Sequence, residues 1–295
     1  MIPRFAFLGT PAFAATVLQG LLDANWKPTL VITEPAKPVG REQVITPSAV
    51  ELLARQAGIP VETPIHKDEL GPLLKPLNLD LAIVVAYGKI IPESTLLIPR
   101  LGMINVHASL LPLYRGASPI QAAILAGDID TGITYMQIEP SLDTGPIISQ
   151  VAQPLNGSET TGTLTAALAK LAAITIVPAI SAYINHAIEP VPQDDTQASY
   201  TKKLNREDGE VNLKTITPPE LDRMLRAYTP WPGIYTLEFG TRLIIRRGHL
   251  ADSCFVIEEV QWEGKKPVDG ETFARAYPAI LTQLPKTFTL TSPRI

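Results

Sequence analysis

Through its first 150 residues the chain alternates short apolar runs with longer stretches of helical periodicity, and no other feature restricts the fold as strongly. Phe5 to Leu8, Leu30 to Thr33, Leu81 to Val85, Met103 to Val106 and Ile133 to Gln137 read as strands. Strands this uniformly apolar are buried on both faces, which happens when helices cover both sides of a parallel sheet. The pattern therefore predicts an α/β domain, Rossmann-like, on a mostly parallel sheet. Thr10 before Pro11 predicts an N-cap and first-turn proline for a helix through Leu22, and Thr46 before Pro47 repeats the signal for a helix through Gln56. The longest apolar stretch, Leu164 to Ile180, is interrupted by Thr165, Lys170, Thr175 and Pro178, and reads as a packed helix, not a membrane span.

With 295 residues the chain reaches the size at which single cores stop growing, about 250 to 300, so two domains are expected. The proline-bearing polar segment Glu189-Pro190-Val191-Pro192-Gln193-Asp194-Asp195 reads as a linker. The boundaries predicted are 1–186 for the first domain, 187–203 for the linker and 204–295 for the second domain. In that last part Pro218 to Ala227 reads as a helix with Leu221, Met224 and Leu225 on one face. Ile234 to Phe239, Arg242 to Arg246 and Phe255 to Val260 read as antiparallel strands, with Gly248 to Ser253 between the last two.

Charge is uneven. Residues 1–199 carry 11 Lys and Arg against 17 Asp and Glu, whereas residues 200–295 carry 14 against 12, which makes the tail the better surface for an anionic partner. The single Cys254 excludes a disulfide framework, and four scattered histidines offer no zinc spacing, so no metal is expected. No signal-peptide pattern precedes the first strand, and a cytoplasmic protein with no membrane segment is expected. Neither a G-x-G-x-x-G after the first strand nor a G-x-x-x-x-G-K-[ST] is present, which removes support for a nicotinamide or ATP site.

Chemistry gathers at the end of the fourth apolar run. Asn105 and His107 are two apart, so on a strand both side chains leave the same face. They lie at the carboxyl end, where open α/β sheets bind ligands. Asp143 sits in a loop closed by Gly145 and Pro146, from which a carboxylate can reach the imidazole or take a proton. An amide donor, an imidazole and a carboxylate are the parts needed to move a one-carbon acyl group between nitrogens. Ser109 reads as a turn-stabilising hydroxyl, since no G-x-S-x-G elbow surrounds it. Arg115 reads as a surface charge or a clamp between loops.

The wider pattern, Asn105-Val106-His107-Ala108-Ser109-Leu110-Leu111-Pro112, then Arg115-Gly116-Ala117-Ser118-Pro119-Ile120, then Leu142-Asp143-Thr144-Gly145, resembles the active-site signature of formyltransferases that use 10-formyltetrahydrofolate. Within that family it is most similar to the branch acting on methionyl-tRNA. Leu8 to Ala14, Val85 to Pro92 and Tyr228-Thr229-Pro230-Trp231-Pro232-Gly233 extend the likeness over nearly the whole chain.

The resemblance implies transfer of a formyl group from 10-formyltetrahydrofolate to the α-amine of methionine on initiator tRNA, with a folate co-substrate, a tRNA partner and a monomeric enzyme. It implies Asn105, His107 and Asp143 as catalytic: Asn105 and a protonated His107 donating to the oxygen that becomes negative, Asp143 orienting the ring and helping to remove the amine proton. It places Tyr87, Gly88, Ile90, Leu142, Ser109, Leu110, Leu111 and Pro112 around the folate. It turns 34–44 into a loop against the tRNA acceptor end, with Lys37 and Arg41 as contacts, although Glu42-Gln43 stand where relatives carry more basic residues. It also implies a small OB-like barrel in the tail, reduced here, with Arg242 and Arg246 on one strand face toward phosphates. The alternative acceptor is an amino sugar nucleotide; the forms of the Arg-Gly-x-x-Pro and Leu-Asp-Thr-Gly segments favour tRNA.

Overall fold

The computed structural model describes residues 2–39 and 42–290. The chain opens with β1 (Phe5–Gly9), α1 (Ala12–Asp23), β2 (Leu30–Ile32), β3 (Lys37–Val39), β4 (Val44–Thr46), α2 (Ala49–Gln56), β5 (Val61–Glu62), α3 (Leu70–Leu74), β6 (Leu81–Val85) and α4 (Glu93–Leu96). Next come β7 (Met103–His107), β8 (Arg115–Gly116), α5 (Pro119–Ala126), β9 (Asp130–Gln137), β10 (Ile147–Pro154), α6 (Thr161–Ile184) and β11 (Tyr200–Thr201). It closes with α7 (Pro218–Tyr228), β12 (Ile234–Thr236), β13 (Leu243–Ala251), β14 (Cys254–Trp262), β15 (Val268–Asp269), α8 (Gly270–Ala276), α9 (Pro278–Leu281) and β16 (Phe288–Leu290).

Two compact units result. The first comprises 1–116, 130–154 and 165–200, the second 117–129, 155–164 and 201–295. The sequence suggested a single cut at 187–203; instead, two short internal stretches group with the tail.

In the first unit a seven-stranded sheet runs β10-β9-β7-β6-β1-β2-β5. Pairings from β5 to β7 are parallel, and β9 and β10 add antiparallel pairs at one edge. The expected Rossmann-like α/β architecture is present. Every residue of β1 and β6 is buried, which explains why neither alternates apolar with polar. By length and composition α6 could cross a membrane. Here it buries Leu168, Ala172, Ile176 and Ile180 at three- and four-residue spacing, and Tyr135 Oη donates to the Ala172 carbonyl at 3.0 Å.

Both predicted caps move. Pro11, not Thr10, is the residue before α1, and Thr10 Oγ1 donates instead to the Tyr87 carbonyl at 3.1 Å. Thr46 is taken up in the hairpin β3–β4, where it pairs with Lys37. Helix α2 therefore starts later, with Ser48 Oγ accepting from the Glu51 N–H at 3.0 Å. Arg41 lies outside the described residues.

Most of the stretch read as a linker, 187–200, is fastened along the first unit. Ile147 and Val191 exchange backbone hydrogen bonds at 2.8 Å, and the Arg115 N–H donates to the Ser199 carbonyl at 2.9 Å. The regular structure of this stretch is limited to a single 3-10 turn over 195–197 and the two-residue β11, too short for any periodicity in the sequence to announce this role.

In the second unit α5 packs against α7, which buries Leu221, Leu225 and Ala227. Arg223 Nε donates to the Leu125 carbonyl at 2.9 Å and Arg226 Nη1 to that of Glu159 at 2.9 Å. A capping box, Thr217 with Glu220, begins α7. The sheet is five-stranded, β12-β13-β14-β15 with β16 parallel to β14. Its central hairpin is longer than the sequence suggested: Gly248 to Ala251 are strand, and only Asp252 and Ser253 form the turn. Gly248 is a glycine inside the strand because a Cβ there would overlap the Phe255 ring.

Candidate active site

Strand β7 presents Asn105 and His107 on one face, as their spacing requires, and the loop after β9 brings Asp143 to both. Asn105 Nδ2 lies 3.4 Å from Asp143 Oδ1, and His107 Nδ1 lies 3.7 Å from Asp143 Oδ2. The second separation is within ion-pair range but beyond a hydrogen bond. The Gly116 N–H donates to Oδ2 at 2.8 Å and so fixes the rotation of the carboxylate.

His107 is 6 % exposed, and its Nε2 lies 2.9 Å from the Tyr114 carbonyl. A carbonyl only accepts, so Nε2 carries a proton and Nδ1 is the nitrogen turned toward Asp143. The imidazole is thus held between a backbone acceptor and the carboxylate, whereas the sequence reading had it donating to substrate. Asn105 is the member of the trio whose amide is committed only to a long contact.

Asp143 adopts φ 53°, a left-handed conformation unusual for a residue with a side chain. Gly145 follows because a Cβ would collide with the Gln137 carbonyl oxygen. Gln193 Nε2 donates to the carbonyls of Asp143 and Gly145, at 2.8 Å each. Its Oε1 accepts from Arg115 Nε at 3.0 Å and Nη2 at 2.8 Å. Arg115 is 1 % exposed, so it is a buried clamp, not a surface charge; it also donates to Asp195 Oδ1 at 2.7 Å and Tyr200 Oη at 3.0 Å. Burial works against its charge, but the Asp195 carboxylate and Tyr200 hydroxyl outweigh that and hold its pKa above the ordinary value. Sequence reasoning missed Gln193, since one glutamine in a polar stretch carries no signal.

The turn after β7 is pinned from β9. Thr134 Oγ1 donates to the Ser109 carbonyl at 2.6 Å and accepts from the Leu111 N–H at 3.1 Å, while Gln150 Nε2 donates to the Leu111 carbonyl at 2.8 Å. Ser109 Oγ donates to the Leu113 carbonyl at 2.6 Å, the turn-closing use expected of it. Leu111 is buried, with Leu110 and Pro112 half-buried.

At the end of β6 the backbone turns through left-handed Ala86 and Gly88, leaving both exposed. The Tyr87 side chain points into the apolar cluster with Leu70, Leu74 and Leu96, so this segment offers its backbone and not the phenol to a ligand. Burial, with Glu34 and Glu69 adding to it, pushes that phenol up to about 12. Ile90 and Leu142 are 81 % and 64 % exposed, apolar side chains left in solvent at a site end of the sheet. A cavity of about 390 Å³ is lined by Leu96, Met103, Ile138 and Pro140 among others, at the opposite end of β7 from His107.

The basic candidates are less free than their sequence suggests. Lys37 pairs with Glu34. Arg242 is largely buried, 3.7 Å from Glu263 and stacked 3.9 Å over the Tyr235 ring. Arg246 donates to Gln261 at 3.0 Å and lies 3.9 Å from Glu259, which Arg247 approaches at 3.3 Å.

Comparison with known proteins gives this geometry its context. The formyl transferase family model matches residues 3–180. The methionyl-tRNA formyltransferase of Stutzerimonas stutzeri (strain A1501) is 44 % identical over 251 residues, 84 % of this chain and 80 % of the relative. The chain belongs to the methionyl-tRNA formyltransferase family. A relative from Chloroflexus aggregans, of the same name, is 40 % identical over 84 % of this chain and 81 % of its own length. Among solved structures, the N-formyltransferase from Helicobacter canadensis, in complex with folinic acid and dTDP-3-aminofucose, superposes with a TM-score of 0.62 at 20 % identity, covering 91 % of this chain and 99 % of that one. At that identity the likeness concerns the fold alone.

Proposed function

We propose that this chain transfers the formyl group of 10-formyltetrahydrofolate to the α-amine of methionyl initiator tRNA. The observation that carries the reading is the convergence of the Asn105 amide and the His107-backed Asp143 carboxylate at the carboxyl end of β7, in a chain of this family. Asn105 Nδ2 donates to the formyl oxygen as charge gathers on it. Removing one preorganised donor of this kind costs about 10²–10³ in rate. Asp143 takes the proton that the amine must lose, and His107, its Nε2 anchored on Tyr114, steadies the carboxylate and shares the charge. The formyl carbon gains the amine nitrogen and loses N10, and the proton is returned to N10 through the same pair.

The exposed backbone of 86–88 fits a flat heterocycle that needs edge hydrogen bonds, and Ile90 and Leu142 offer it apolar contact. Ser109, Leu110, Leu111 and Pro112 form the fixed floor beside His107. On the acceptor side, Lys37 and Arg41 from the 34–44 segment and Arg242 and Arg246 from the tail serve as contacts to tRNA phosphate, with 204–295 serving as a reduced OB-like module. A monomer in the cytoplasm completes the proposal. The deciding experiment supplies 10-formyltetrahydrofolate with either charged initiator tRNA or amino sugar nucleotides. Formyl-methionyl-tRNA as the product upholds the reading, and turnover only of the sugar nucleotide overturns it.

A further inference from the structure

Resting on the reading of Asp143 as the proton acceptor, the geometry points to Gln193 as the positioning residue that sets the catalytic loop, with Arg115 as its anchor. A guanidinium only donates and a carbonyl only accepts, so the Gln193 amide has one orientation: Oε1 toward Arg115, Nε2 toward the carbonyls of Asp143 and Gly145. The first of those carbonyls belongs to the left-handed residue Asp143 itself and the second to Gly145, which is buried, so they bracket Thr144. One amide thus spans the turn that aims the carboxylate at Asn105 and His107. Arg115, buried and held by Asp195 and Tyr200, keeps the amide from rotating. Gln193 touches no reacting atom in this arrangement; it acts through Asp143.

The informative substitution is Gln193→Glu. It keeps the shape and the Arg115 partner but replaces the donor with a carboxylate oxygen facing two carbonyls. Losing two hydrogen bonds and gaining repulsion lowers kcat by about ten- to a hundredfold, while KM for either substrate stays within about threefold. As pH falls toward the range where a glutamate protonates, the regained O–H donor raises the ratio of variant to wild-type kcat. Gln193→Met, of similar volume, shows a reduced ratio that does not change with pH. Independently of activity, amide hydrogen exchange across 138–147 becomes faster in both variants.

If either protein is too unstable to assay, Tyr200→Phe, which removes one oxygen from an exposed side chain, lowers kcat by about two- to threefold with unchanged melting temperature. Wild-type kcat, pH profile and exchange in the Gln193 variants, or wild-type kcat in Tyr200→Phe, overturns the inference. The reading beneath it fails differently. A fully active Asp143→Asn protein removes Asp143 from the chemistry, whereas an inactive Asp143→Asn beside an active Gln193→Glu removes only Gln193.

Discussion

The two units of this protein treat charge in opposite ways. In the α/β unit Asp143 is 13 % exposed and Arg115 1 %, and both are held by several polar partners at hydrogen-bond distance. On the hairpin β13–β14 of the second unit Arg246, Arg247 and His249 are 48 to 56 % exposed and face Glu258 and Glu259 across the strands. A buried charge persists only when its partners are fixed, so it brings geometry with it. An exposed pair contributes about 0–1 kcal/mol and mainly cancels field. The first unit is therefore built for position, and the second presents a basic surface already partly neutralised.

The largest effect that would break this comparison lies in the first unit. Asn105→Ala and Asp143→Asn are each expected to lower single-turnover formylation by about a hundredfold or more, with melting temperatures near that of wild type. Because the groups act together, the double variant is no worse than about tenfold below the poorer single one. Losses that multiply would show that they work independently.

Next comes the wall of the second unit. Leu221→Ala removes a side chain of α7 with no exposed surface and costs about 2–5 kcal/mol. Hydrogen exchange is expected to rise across α5, α7 and 155–164 before β1 or β6 respond. For the same reason a truncation near Lys203, attractive from the sequence, uncovers the face of α5 and should yield a less stable protein, seen as a fall in melting temperature.

Charge variants sharpen the contrast further. With Arg246 already paired, Arg246→Gln is expected to change kcat/KM for charged tRNA by less than about threefold and to leave a shallow salt slope, about one released counterion or fewer. Glu259→Gln frees Arg246 and Arg247 and should raise tRNA kcat/KM at low salt while steepening that slope. A fall would mean that these arginines do not face tRNA.

The smallest effect is electrostatic and structural. The Arg4 N–H, at 2.8 Å, and the Arg100 guanidinium hold the Asp80 carboxyl below its usual 3.8. A carboxyl depressed in the folded state stabilises the fold above its unfolded pKa and loses that contribution as pH falls through the folded one. Asp80→Asn should therefore melt slightly lower than wild type at neutral pH, with the gap closing in acid below 3.8.

Much of this was written in the chain. Continuous apolar runs identify buried parallel strands, and a spacing of two puts Asn105 and His107 on one face whatever surrounds them. Motif spacing pointed to Asp143 as their partner. Helix starts were less legible, because Thr46 and Ser48 are both good caps and a hairpin pairing for Thr46 decided between them. The length of β13 was hidden by Gly248, a glycine inside the strand because of a ring from the next strand. Tertiary structure alone decided that Arg115 is buried, that Gln193 spans the Asp143 turn, that the Tyr114 carbonyl takes one nitrogen of His107, and that Arg242 and Arg246 have acidic neighbours. Periodicity and motif spacing are local and survive in the one-dimensional text. The partners of an isolated polar side chain lie tens of residues away, and only folding brings them within hydrogen-bond distance.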